Sequence, residues 1–115
     1  MKIELRGLDV FGYHGAEEDE RRLGQPFLYD VELEVGDRGA SDRLGDAIDY
    51  TQVAQAIREL SAARRFNLLE ALATTMADML MERFEPESLR LRIRKPQVQP
   101  AGLTVEYSAV SIERP

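Results

Sequence analysis

Pro26-Phe27-Leu28-Tyr29-Asp30-Val31-Glu32-Leu33-Glu34-Val35 is the stretch that decides the fold. Phe27, Tyr29, Val31, Leu33 and Val35 alternate with Leu28, Asp30, Glu32 and Glu34. Successive side chains of a strand point to opposite faces, so this pattern predicts a strand with one buried and one mostly wetted face. One-sided strands belong to antiparallel sheets, since parallel sheets are covered on both sides. Upstream, residues 3 to 11 read as another strand, ending in Phe11-Gly12-Tyr13-His14-Gly15. The two glycines there predict a sharp turn or a close backbone approach. Residues 16 to 25, acidic and then basic and closing with Gly24-Gln25, read as a loop. Residues 36 to 48, rich in glycine and aspartate, read as a connection.

Two helical patterns follow. One starts near Thr51, with Val53, Ile57 and Leu60 on its inner stripe. The other runs from about Leu68 to Arg83 and buries Leu69, Leu72, Met76 and Leu80, with Asn67 as the expected N-cap. Two further strands are predicted at about 88 to 95 and 103 to 113. In the last, Leu103, Val105, Tyr107 and Ala109 share one parity and Val110 and Ile112 the other, which predicts a β-bulge or an edge passing between two environments. The order ββααββ predicts an α+β architecture: a four-stranded antiparallel sheet with both helices on one face. Such a sheet has two edges to protect, and joining the sheets of several chains is one way to do it.

The bulk properties narrow the functional classes. At 115 residues the chain is expected to form a single domain spanning 1 to 115. A net charge of -6 argues against nucleic acid, because phosphate binding needs a clustered positive surface. No apolar run is long enough for a membrane span. The opening MKIELRGLDV alternates and carries early charge, unlike a signal peptide, so a cytoplasmic location is expected. With no cysteine and one histidine, His14, a zinc site is not expected.

Leu89-Arg90-Leu91-Arg92-Ile93-Arg94-Lys95-Pro96 carries the sharpest chemical signal. The chain has thirteen arginines and only two lysines, Lys2 and Lys95. Alternation puts the three arginines on one face and Leu89, Leu91, Ile93 and Lys95 on the other. Lys95 thus emerges at the end of an apolar face. Arginine stays protonated, whereas lysine can exchange a proton when its surroundings favour it. A lysine snorkelling at the rim of a core would give the same pattern.

Four short pieces then acquire meaning as an ordered set: Gly12-Tyr13-His14-Gly15 with Glu20 and Gly24-Gln25; Asp49-Tyr50-Thr51; Leu68-Leu69-Glu70-Ala71-Leu72-Ala73; and Lys95-Pro96. In this order and spacing the chain resembles the dihydroneopterin aldolase family of the folate pathway, along essentially its whole length. The resemblance implies a tunnelling fold, in which four ββααββ subunits join sheets into a ring and two rings can stack into an octamer. It implies sites at subunit interfaces and a small-molecule pterin substrate. The implied reaction cuts 7,8-dihydroneopterin into 6-hydroxymethyl-7,8-dihydropterin and glycolaldehyde, with no metal, no cofactor and no Schiff base, and with epimerisation as a side reaction.

The same resemblance assigns roles. Glu70, with Leu69 beside it, is the implied pterin anchor, its carboxylate accepting two adjacent pterin N–H groups. Asn67 and Glu70 also have the spacing of a capping box, which would compete for that carboxylate. Lys95 is the implied general acid/base. Tyr50 is the implied proton-relaying tyrosine lent by a neighbouring subunit; it could equally be an aromatic staple before a Thr51 cap. Glu20 is implied to order Lys95 and the substrate hydroxyls, although Glu17, Glu18 and Asp19 adjoin it and a solvated acidic loop would look alike. His14 either reaches the site or holds the turn, and the turn is the favoured reading. Two rivals remain: a dihydroneopterin or dihydroneopterin triphosphate epimerase, separable by product analysis, and a non-catalytic oligomeric pterin-binding protein, which would release no glycolaldehyde.

Overall fold

The computed structural model describes Met1–Pro115. Its elements are β1 (Lys2–Gly12), α1 (Glu18–Leu23), β2 (Gln25–Glu34), α2 (Tyr50–Ala63), α3 (Leu69–Phe84), β3 (Ser88–Lys95) and β4 (Ser108–Arg114). The strands form one antiparallel sheet in chain order. Phe27, Tyr29, Val31 and Leu33 of β2 and Leu89, Leu91 and Ile93 of β3 pack with Val53, Ile57, Leu72, Met76 and Leu80 of the two helices in one core. α2 lies against β1, and α3 against β3 and β4.

The opposite face of the sheet carries charge. Glu32 stands across from Arg90 and Asp30 from Arg92 in the register of β2 with β3. Arg94 grips Asp30 in a two-point pair at 2.9 and 3.0 Å, and Arg90 bonds Glu113 at 2.9 Å. β1 and β4 are the two edges of the sheet.

Four local expectations are corrected. Residues 16 to 25 are not all loop, because Glu18–Leu23 forms a short helix with acids in its first turn and arginines in its last, the order that suits the helix dipole. Asn67 does not cap α3; the N-cap is Leu68, with no side-chain cap. Thr51 does not cap α2 either: Asp49 is the cap, its carboxylate accepting from Thr51 N–H at 2.9 Å, and Tyr50 is the first helical residue. The last strand starts at Ser108, so Leu103, Val105 and Tyr107 precede it. Val110 and Ile112 are then simply its in-phase inward residues, opposite Ile93 and Leu91, and the register of β3 with β4 is unbroken.

The bulge falls in β1 instead, where the register shifts between Leu5 and Leu8. Gly7 takes φ +67° there, which a residue with a Cβ adopts only at a cost. The Gly7 N–H donates to Asp30 Oδ1 at 2.8 Å. The bulge lets both Ile3 and Leu5 before it, and Leu8 and Val10 after it, face the core.

Candidate active site

β1 leaves the sheet at Gly12, and β3 reaches its end at Lys95. Between them sits α1, whose third residue is Glu20. Lys95 Nζ donates to Glu20 Oε2 at 2.6 Å, with the two side chains 15% and 24% exposed. This is a charge-assisted contact at the rim of the core, short enough to be strong. Gln25, at the start of β2 and buried, donates its amide to the same Oε2 at 2.9 Å. The other carboxylate oxygen, Oε1, accepts the Glu17 N–H at 3.2 Å, which is the back-bond of a capping box. One oxygen therefore fixes Glu20 to its helix while the other holds the lysine.

Glu20 is the member of the acidic run that meets Lys95. Neighbouring Asp19 instead pairs with Arg22 at 3.0 Å. Burial works against ionising Glu20, but the Lys95 ammonium, the Gln25 amide and the Glu17 N–H outweigh it, so the carboxyl sits below its ordinary range. Gly15 makes room for it: a Cβ there would lie 2.5 Å from the Glu20 side chain.

The capping box expected between Asn67 and Glu70 does not form. Glu70 is exposed in the first turn of α3, and its backbone carbonyl, not its carboxylate, accepts from Thr74 Oγ1 at 2.8 Å. Its carboxylate has no hydrogen-bond or ion-pair partner within the chain. Leu69 beside it is half-buried. Tyr50 is 60% exposed at the start of α2 and forms no hydrogen bond with Lys95 or Glu20.

His14 lies in the interior, 1% exposed, and belongs to the turn. Its Nδ1 accepts the Phe66 N–H at 3.1 Å, and its Nε2 lies 3.1 Å from Ser61 Oγ. Burial pushes its pKa down to about 4. Sequence reasoning missed Ser61 and Phe66 as partners. Ser61 carried a signal, since it continues the inward spacing of Val53 and Ile57 along α2, where a polar residue needs a partner.

A lysine and carboxylate at hydrogen-bond distance can move protons, and an unpaired carboxylate such as that of Glu70 in the first turn of α3 can hold a cationic or amide-like edge. The dihydroneopterin aldolase family model matches residues 3–113. The dihydroneopterin aldolase of Streptococcus pyogenes serotype M18 is 40% identical over 115 residues, spanning 97% of this chain and 94% of that protein. Among solved structures, a putative dihydroneopterin aldolase from Vibrio cholerae aligns with TM-score 0.89 and 34% identity, covering 99% of this chain and 96% of that one. The E. coli dihydroneopterin aldolase in complex with neopterin aligns with TM-score 0.90 and 26% identity, covering 100% of this chain and 99% of that one. No helix is long and apolar enough to cross a membrane.

Proposed function

The chain belongs to the dihydroneopterin aldolase family, an aldehyde-lyase family, and from that premise we propose how its residues divide the work. The reaction is the retro-aldol cleavage of 7,8-dihydroneopterin. A base takes the proton of the second side-chain hydroxyl, the bond between the first and second side-chain carbons breaks, and glycolaldehyde leaves. The bond's electrons pass to the first carbon, where the adjoining ring C=N delocalises them. A proton delivered to that carbon gives 6-hydroxymethyl-7,8-dihydropterin. Because the ring is the electron sink, the protein needs only to bind, orient and move protons.

Lys95 is the proposed proton donor and acceptor, with Glu20 holding its ammonium and facing the substrate hydroxyls. Glu70 is the proposed anchor for the amino group and adjacent ring N–H of the pterin, beside Leu69. Tyr50, exposed at the start of α2 and not bonded to Lys95, is proposed to serve the site of a neighbouring subunit, where its hydroxyl relays a proton. The neighbour would join through the open edges β1 and β4, closing four sheets into a ring, singly or as a stacked pair. The observation that carries the reading is the 2.6 Å contact of Lys95 with Glu20 at the end of an apolar strand face.

The experiment is product identification. Purified protein given 7,8-dihydroneopterin should yield glycolaldehyde and 6-hydroxymethyl-7,8-dihydropterin by mass spectrometry. An inverted triol as the only product would favour an epimerase instead, and an unchanged substrate would remove the catalytic reading. Sedimentation at micromolar concentration should give a tetramer or octamer; a sharp monomer boundary would sink the shared site.

A further inference from the structure

No step of the reaction uses His14, yet every polar atom of its ring is engaged. A backbone N–H can only donate, so Nδ1 accepts from Phe66 and the ring proton sits on Nε2, which donates to Ser61 Oγ. The same segment makes two more ties. The Gly15 N–H donates to the Phe66 carbonyl at 2.9 Å, and the Gln25 amide reaches the His14 carbonyl at 3.5 Å. Phe66 therefore has both its N–H and its C=O fixed by residues 14 and 15.

Those two segments lead to the two halves of the site. Beyond Phe66 the chain enters α3, whose first turn carries Leu69 and Glu70. Beyond Gly15 it enters α1, where Glu20 holds Lys95. Arg21 of that helix braces the second segment, its Nη1 donating to the carbonyls of Gly15 and Ala16 at 2.8 Å each. The ring fits only because Gly12 has no side chain: a Cβ there would lie 2.8 Å from His14 Cδ2 and Nε2 and 2.9 Å from Ser61 Oγ. Phe27 and Phe66 pack on the imidazole with ring centroids 5.2 and 5.5 Å away.

We propose that His14 is a positioning residue: through its bond to the Phe66 N–H it clamps the entry of α3 to the turn before α1, and so sets the separation of Glu70 from the Lys95–Glu20 pair. The proposal rests on the site reading given above. Both ring nitrogens are taken up by Phe66 and Ser61, so the imidazole acts through geometry and not as a proton carrier. An apolar side chain could fill the same space but would leave the Phe66 N–H without an acceptor. Misplacing a bound substrate by about 1 Å is enough to cost on the order of a hundredfold in rate.

Three variants separate this clamp from general stabilisation. His14→Asn keeps an acceptor near the place of Nδ1. His14→Gln keeps a polar group near Nε2 and gives up that acceptor. His14→Leu gives up both. Each is assayed as the intact assembly, at a temperature where thermal melts show it folded. The readouts are kcat and KM for 7,8-dihydroneopterin, calorimetric affinity for 6-hydroxymethyl-7,8-dihydropterin, and amide exchange across residues 66–70.

Leu and Gln should each raise KM and lower kcat by about tenfold or more and speed exchange at 66–70, while Asn should recover most of both parameters. Wild-type kcat and KM in a folded His14→Leu protein, or Asn no better than Gln, would overturn the proposal. If the Leu variant does not fold, the comparison of Asn with Gln decides. Should the wild type release no glycolaldehyde, the proposed function fails by itself, and the exchange rates of Asn and Gln still decide the clamp.

Discussion

Lowering the pH from about 7.5 to about 5 should remove on the order of 2 kcal/mol of stability, and a single side chain should account for it. The chain has one histidine. In the folded protein its burial, with Nδ1 committed to the Phe66 N–H, holds its pKa near 4, against an ordinary 6.5. Below pH 6.5 the unfolded chain takes up a proton that the folded chain refuses, so unfolding is favoured. The loss grows as pH falls from about 6.5 to about 4 and is then complete. Each pH unit in that window is worth about 1.4 kcal/mol, and pH 5 lies about one and a half units into it. The carboxyls of Glu20 and Asp30 are also held low, the first by Lys95 and the second by Arg94, each against the cost of burial. Their stabilisation is present above their ordinary values of 4.5 and 3.8 and is lost only as pH falls further. They therefore act mainly below pH 5, outside the interval assayed. Urea midpoints at the two pH values, at fixed protein concentration, measure the effect in the wild type and in His14→Asn. The wild type should lose the stated amount and the variant should be nearly flat. An equal drop in both proteins would refute the assignment, as would a wild type indifferent to pH.

Three more outcomes follow from named contacts. The buried hydroxyl of Tyr29 makes no full hydrogen bond, Ser61 reaching it only weakly, so Tyr29→Phe should change stability by less than about 1 kcal/mol in a denaturant titration; a larger loss would show that the Ser61 contact is a full bond. Glu70→Gln should weaken pterin binding by on the order of 2–4 kcal/mol, since an amide satisfies only one of two donors. Its melting temperature should barely move, because the carboxylate takes no part in capping α3; unchanged calorimetric affinity would remove Glu70 from the site. Tyr50→Phe subunits mixed with Lys95→Ala subunits should regain activity by forming some sites with both residues intact. No recovery after verified subunit exchange would show that Tyr50 does not cross between subunits.

The alternation in β2 and β3 made the sheet legible, because a one-sided strand leaves a period-two record that packing preserves. The stripes of α2 and α3 were legible for the same reason at helical period. What escaped was local. The helix Glu18–Leu23 is too short for a stripe and buries no residue, so its charges read as a loop. Leu103, Val105 and Tyr107 alternate like a strand although they precede one, and that drew the predicted bulge to the wrong place. The true bulge had its own mark, the slip of parity from Leu5 to Leu8 across Gly7. At the site, the lysine face was legible because parity alone puts Lys95 beside Ile93. The choice of Glu20 among four adjacent acids came from the family resemblance and not from any local pattern, since it depends on α1 turning that one carboxylate toward β3. Capping competition was anticipated at Glu70 but occurs at Glu20, whose two oxygens serve helix and lysine at once. The partners of His14 lay forty-seven and fifty-two residues away, beyond any local pattern.

The most direct test of the account is turnover by Lys95→Arg. The substitution keeps the positive charge opposite Glu20 and most of the stem, so the fold, the assembly and pterin binding should persist. Arginine does not give up its proton at any working pH, and losing a positioned acid/base costs about 10²–10⁴-fold in rate. Glycolaldehyde release should therefore fall at least about a hundredfold while calorimetric pterin affinity changes little. Turnover near the wild-type rate would contradict the account and leave Lys95 as a lysine at the rim of the core, held there by its ion pair alone.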